Sequence, residues 1–175
     1  LLAGSLGFPN ISVLEFGVAG GLGLINVENH VEQIRKLSIV ELEVYGFDLE
    51  GGLPAPKDYR DMPYMWEQGF YAMDRKNLQD RLKFSTLVLG DVGETCSTFF
   101  EEHNPAPIGC ALFDLDYYSS TMDAFKIFDT DPSNYLPRVY CYFDDIFSGG
   151  MRANNEFVGV LKAINDFNQQ SPDKK

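Results

Sequence analysis

Short apolar runs alternate with helically spaced apolar positions along the chain. Ile11 to Phe16 is an apolar run ending in a Gly-rich turn, which predicts a buried strand. Leu24, Val27, Val31 and Ile34 recur at helical spacing, with Arg35 and Lys36 near the end where positive charge suits the helix dipole. Ile39 to Phe47 is rich in β-formers and ends at Asp48. Residues 49–64 carry several Gly and Pro and predict a loop; Trp66 to Leu82 predicts a helix of weaker periodicity. Thr86 to Leu89 predicts a third strand, ending at Gly90-Asp91, and Ile108 to Phe113 a fourth, ending at Asp114. Ser120 or Thr121 can cap the next helix, whose core face would be Met122, Phe125 and Phe128. Arg138 to Phe143 predicts a fifth strand, ending at Asp144-Asp145. Phe157, Val160, Leu161, Ile164 and Phe167 form a last helical stripe. This alternation predicts an α/β fold around a parallel sheet.

The last four strands each run into an aspartate: Asp48, Asp91, Asp114 and Asp144. In open α/β sheets ligands bind at the carboxyl ends of strands, so acidic residues gather where a site is expected. At 175 residues, 45% apolar and 14% aromatic, the chain reads as one folded domain over 1–175. Its net charge of -12 argues against nucleic acid and anionic membranes as partners, because both are bound through basic footprints. No apolar run approaches the roughly 20 residues of a membrane span, and the start lacks the basic region of a signal peptide. Cys96, Cys110 and Cys141 form no CxxC pair, which argues against a zinc ribbon or disulfide framework. Cys110 and Cys141, in apolar runs, are expected as buried thiols in a reducing, cytoplasmic setting.

Glu15-Phe16-Gly17-Val18-Ala19-Gly20-Gly21-Leu22-Gly23 follows a strand and opens a helix, the context of a nucleotide loop. Small residues at 17, 19 and 21 let the backbone turn sharply and approach a ligand; a ligand-free tight turn is the bland alternative. A dinucleotide fingerprint would need a third glycine where Asn26 stands, and no Gly-Lys pair offers a phosphate-binding P-loop. The spacing instead resembles motif I of class I S-adenosylmethionine-dependent methyltransferases. That resemblance implies a Rossmann-like three-layer sandwich with a mostly parallel central sheet. It implies S-adenosylmethionine as cofactor, held by Glu15, Gly17, Ala19 and Gly21, by Asp48 on the ribose hydroxyls and by Asp91 on the adenine amino group. Either aspartate alone is also readable as a solvated strand end.

Asp114-Leu115-Asp116-Tyr117-Tyr118-Ser119-Ser120-Thr121, with Asp144-Asp145 after the next strand, is similar to a narrower group, the macrocin O-methyltransferase-like (TylF-like) family of sugar and natural-product O-methyltransferases. Tyr45-Gly46-Phe47-Asp48 followed by Gly52-Leu53-Pro54 also looks like that family, and the likeness covers roughly residues 11 to 170. It implies a divalent metal, usually magnesium, held by Asp116, Asp144 and Asp145 beside the acceptor hydroxyl, with Asp114 orienting the cofactor. The chemistry is sensible independently. Crowded carboxylates repel, a hard dication relieves them, and a hydroxyl on a metal loses its proton more readily. Direct general-base catalysis by an aspartate, or plain helix capping with Asp116 near residue 120, are the alternatives. The catalytic candidates are therefore Asp116, Asp144 and Asp145.

His30 falls in the first helix and His103 in a loop; neither is assigned a role. Tyr59, Tyr64, Trp66, Phe70 and Tyr71 read first as core and helix packing, and second as the wall of a pocket. The likeness begins almost at the first strand and ends after the helix that follows the fifth, so the stretch looks like a core truncated at both ends. The leading expectation is O-methylation of a hydroxyl on a small molecule, such as a sugar or natural product. A catalytically silent methyltransferase-like binding module is the alternative, ahead of a nicotinamide-dependent oxidoreductase; an acidic surface also suits a basic protein substrate. A small-molecule acceptor and, in a homo-oligomer, further copies of the chain are the expected partners.

Overall fold

The structure, a computed structural model, describes residues 1–146 and 155–174. Its strands are β1 (Asn10–Phe16), β2 (Glu41–Asp48), β3 (Thr86–Leu89), β4 (Ile108–Phe113) and β5 (Tyr135–Phe143). Its helices are α1 (Leu2–Ser5), α2 (Leu22–Ile34), α3 (Arg75–Arg81), α4 (Val92–His103), α5 (Tyr118–Ala124) and α6 (Gly159–Gln170). The strands form one sheet in the order β3-β2-β1-β4-β5, and every neighbouring pair is parallel. This is the expected Rossmann-like α/β sandwich.

Strand alternation explains the layers. On one face Leu14, Phe16, Tyr45, Phe47, Ala111 and Phe113 pack with Phe99 of α4, Ala124 of α5 and Ala163 of α6. On the other, Val13, Leu42 and Val44 meet Leu24 and Val31 of α2 and Leu78 of α3. Helices pack on both faces, β5 stays exposed at Tyr140, Cys141 and Tyr142, and the carboxyl ends of the strands are where parallel sheets carry ligands. The order reverses between β1 and β4, the topological switch point.

Several elements differ from the sequence expectation. Trp66 to Leu82 is not one helix: only Arg75–Arg81 is helical, and residues 66–74 form a folded-back loop. Its backbone groups are claimed by residues 50–53 instead of by a helical ladder: Leu53 N donates to Phe70 O, Gly69 N to Leu53 O and Met73 N to Glu50 O, at 2.8, 2.8 and 2.9 Å. Of the aromatics expected first as core, Tyr59, Tyr64, Phe70 and Tyr71 are 66%, 74%, 41% and 52% exposed, and Trp66 is half-buried. Ser120 and Thr121 lie inside α5 and do not cap it; Thr121 Oγ1 turns back to Tyr117 O at 2.7 Å. Phe157 precedes α6 and is exposed, whereas Val160 and Ala163 carry the buried face. His103 is the last residue of α4, a helix whose turns the periodicity did not announce. Its ring lies 5.4 Å from that of Phe99 and 5.8 Å from that of Tyr45. Cys141 is exposed because β5 is an edge strand; Cys110 is half-buried and Cys96 buried. No helix among the described residues is long and apolar enough to cross a membrane.

Candidate active site

The carboxyl ends of β1, β2, β3, β4 and β5 open into a cleft of about 360 Å3. Two glycines shape the loop beside it, of which Gly17 lines the cleft. Gly17 has φ 87°, and a Cβ there would meet Asp114 O at 1.8 Å. Gly21 has φ 79° at the start of α2, and a Cβ would meet Leu78 Cδ1 at 2.1 Å. No L side chain fits either place, so the loop lies flat across the switch point. Asp48 pins it from β2: its Oδ2 accepts from Val18 N and Ala19 N, both at 2.9 Å, and its Oδ1 from Glu50 N at 2.6 Å. A carboxylate has about four acceptor sites, so Asp48 keeps capacity for a ligand hydroxyl. Asp91 caps α4, its Oδ1 accepting from Gly93 N at 2.9 Å, and still lines the cleft.

Glu15 ends up beneath the loop, 5% exposed, with Oε2 lacking a hydrogen-bond partner. Burial, then the charges of Asp114 and Asp48, push its carboxyl up to about 8. Its Oε1 lies where a Cβ on Gly23 would stand, so the first turn of α2 closes against it.

The opposite end of the cleft holds Asp114, Asp116, Asp144 and Asp145. Asp114, Asp144 and Asp145 each offer a carboxylate oxygen, and these oxygens lie within 4.8 Å of one another. Asp116 is not in that trio, though the sequence reading placed it among the metal ligands and left Asp114 to the cofactor. It sits beside the trio at φ 58°, 8% exposed, with its N–H donating to Asp145 Oδ2 at 3.1 Å. Burial first, then the charges of Asp145, Asp114 and Asp144, push Asp116 up to about 8. Burial, Asp145 and Asp144 push Asp114 up to about 6, and burial also raises Asp145. Carboxylates this crowded favour a hard dication or a shared proton. The trio's all-oxygen donor set fits a divalent ion such as magnesium. Trp66 and Tyr71 also line the cleft; burial and then Asp116, Asp114 and Asp145 raise the Tyr71 phenol.

Two buried carboxylates that the sequence reading did not single out hold the surrounding framework. Asp61, fully buried, accepts from Ser119 N, Ser119 Oγ and Lys57 N, each at 2.8 Å. It supplies from 58 residues away the N-terminal cap that α5 lacks locally. Glu28, 1% exposed on α2, accepts from Lys83 N, Phe84 N, Ser85 N and Ser85 Oγ at 2.8–3.1 Å. A polar residue one turn after Leu24, on the buried face of an otherwise amphipathic helix, is the one hint that could have found it.

No protein-family model matches the chain, and no curated protein matches it in sequence. Solved structures similar to it include three methyltransferase chains. One is CalS11, a calicheamicin methyltransferase: TM-score 0.67 and 22% identity over 89% of this chain and 63% of that one. Another is the O-methyltransferase NovP: TM-score 0.64 and 14% identity over 92% and 64%. The third is apo CalS11, described as a TDP-rhamnose 3'-O-methyltransferase of calicheamicin biosynthesis: TM-score 0.58 and 21% identity over 89% and 61%. The chain spans 61–64% of the length of these structures and has the same fold.

Proposed function

We propose that the chain is the cofactor-binding core of an S-adenosylmethionine-dependent methyltransferase that methylates a hydroxyl of a small molecule, such as a sugar or natural product, in the manner of the TylF-like family. One observation carries the reading. A single cleft at the switch point is lined at one end by Gly17, Ala19, Asp48 and Asp91 and at the other by Asp114, Asp116, Asp144 and Asp145. The first set suits a nucleoside with a cationic sulfonium; the second suits a hydroxyl that must lose a proton. The shared fold with O-methyltransferases supports it.

S-adenosylmethionine supplies an activated methyl group, so the protein chiefly needs alignment and the removal of one proton. Asp48 orients the loop through Val18 and Ala19. Asp114, Asp144 and Asp145 are the residues that would hold a divalent ion, which favours ionisation of a nearby hydroxyl. Asp116, which lines the cleft beside that trio, is the carboxylate placed to accept the acceptor proton.

Calorimetric titration of the chain with S-adenosylhomocysteine and with NADH, each with and without magnesium, tests the reading. Saturable binding of S-adenosylhomocysteine alone is expected. NADH binding in its place would overturn the assignment of the glycine loop.

A further inference from the structure

Asp61 stands outside the lining of the cleft, yet it joins two of the elements that form it. Ser119 N and Oγ reach its carboxylate from the first turn of α5, and Lys57 N from the segment between β2 and α3. That segment lines the cleft with Leu53 and Pro54, and α5 lines it with Ser120. A carboxylate accepts all three donors at once, whereas an amide has one acceptor oxygen. The same two elements also meet where Lys57 Nζ donates to Asp123 Oδ2 at 2.8 Å and where the Arg60 guanidinium lies 4.0 Å from the centre of the Tyr118 ring. The Lys57 side chain is 60% exposed, so water screens that ion pair. Asp61 is fully buried, and no solvent substitutes for its bonds.

On α5, Asp61 holds the far end of the turn that carries the carboxylates. The chain leaves β4 at Asp114, turns left-handed at Asp116 and enters α5 at Tyr118. The near end of this turn is fixed by Asp114 N, which donates to Phe16 O at 2.8 Å, and its middle by Asp116 N on Asp145 Oδ2. A left-handed φ at a non-glycine residue persists only where the surrounding structure enforces it. Asp114, Asp144 and Asp145 also repel one another, so a turn released at Ser119 relaxes in the direction that separates them. Resting on the methyltransferase reading and its divalent ion, we propose that Asp61 is a positioning residue of the carboxylate end. By holding Ser119 it keeps the turn in the conformation in which the Asp114, Asp144 and Asp145 oxygens converge.

Mn2+, which shares magnesium's preference for octahedral oxygen ligands, is titrated into the full chain and followed by electron paramagnetic resonance. S-adenosylhomocysteine is titrated by calorimetry, and both are measured at a temperature where melting curves show each variant folded. Asp61→Ala should weaken Mn2+ binding about tenfold, the lower end for groups that orient metal ligands. Asp61→Asn, which keeps an acceptor for Ser119 N, should weaken it less. Affinity for S-adenosylhomocysteine should stay within about twofold, because Asp48 holds the glycine loop independently. Glu28→Gln loosens α2, on the opposite face of the sheet from α5, and should lower the melting point without moving Mn2+ affinity. Unchanged Mn2+ affinity in folded Asp61→Ala, an equal loss in Glu28→Gln, or an equal loss of S-adenosylhomocysteine overturns the proposal and leaves the metal reading standing. Absence of Mn2+ binding by the unaltered chain overturns the metal reading and the proposal with it.

Discussion

Glu15 and Glu28 are almost equally buried, at 5% and 1% exposure, yet their surroundings are opposite. Glu28 lies in the closed joint between α2 and the turn after α3, where three backbone N–H groups and a hydroxyl converge on it. Burial alone would raise its pKa, but hydrogen bonds from Phe84, Ser85 and Lys83 outweigh that and hold it below the usual carboxylate range. Glu15 lies at the open carboxyl edge of the sheet, with Oε2 unpartnered and Asp114 and Asp48 for neighbours. The first joint is satisfied and serves stability. The second is left under electrostatic stress, as sites that must meet a cation or a proton commonly are. Partners, more than burial, separate a satisfied carboxylate from an electrostatically strained one here.

The largest test of that contrast is Glu28→Ala against Glu15→Gln. Removing Glu28 takes the acceptor from four part-buried donors and should cost about 2–4 kcal/mol in urea unfolding. Glu15→Gln replaces a carboxyl that is protonated in the folded chain by a neutral amide of the same shape and should change stability by less than about 1 kcal/mol, or raise it. Equal losses in both variants would break the comparison.

Next in size, Asp48→Ala withdraws the acceptor that holds Val18 N and Ala19 N. It should weaken S-adenosylhomocysteine binding by about ten- to a hundredfold, the worth of one or two charge-assisted hydrogen bonds. An unchanged calorimetric affinity would remove Asp48 from the binding edge. Asp61→Ala belongs to the closed region: it uncaps α5 and should cost about 1–2 kcal/mol. Its mark is a lowered thermal midpoint, which Asp61→Asn should partly restore.

The smallest signal is the slope of stability with pH. Between about 4.5 and 8 the Glu15 carboxyl is ionised in the unfolded chain and protonated in the folded one. Its contribution is therefore complete below 4.5 and lost as pH rises through 8. Glu28 acts in the opposite sense. Its contribution is present above its ordinary value of 4.5 and lost as pH falls through the lowered folded value. Glu15→Gln should flatten the decline of stability on the alkaline side, and Glu28→Gln the decline on the acid side. A decline between pH 5 and 8 that survives Glu15→Gln unaltered would assign it to Asp114 and Asp116.

The sequence by itself determined the five strands, the glycine loop between β1 and α2, and the aspartate that closes each of the last four strands. These depend on alternation, turn chemistry and spacing within a few residues, all of which periodicity registers. It also ordered Asp48, Asp91, Asp114 and Asp144 toward one edge, because parallel strands share their carboxyl ends. Only the tertiary structure decided which carboxylates meet. Asp114 joins Asp144 and Asp145 while Asp116 stands beside them, because a left-handed turn at Asp116 redirects the chain. It also decided that residues 66–74 fold back on 50–53 instead of extending a helix, and that α5 takes its cap from Asp61. The partners in those contacts lie tens of residues apart, 58 for Asp61 and Ser119 and 55 for Glu28 and Lys83, so no local pattern encodes them. They exist because closing the sheet brings remote donors to buried acceptors, and a buried polar group left unpaired costs more than the local structure it displaces.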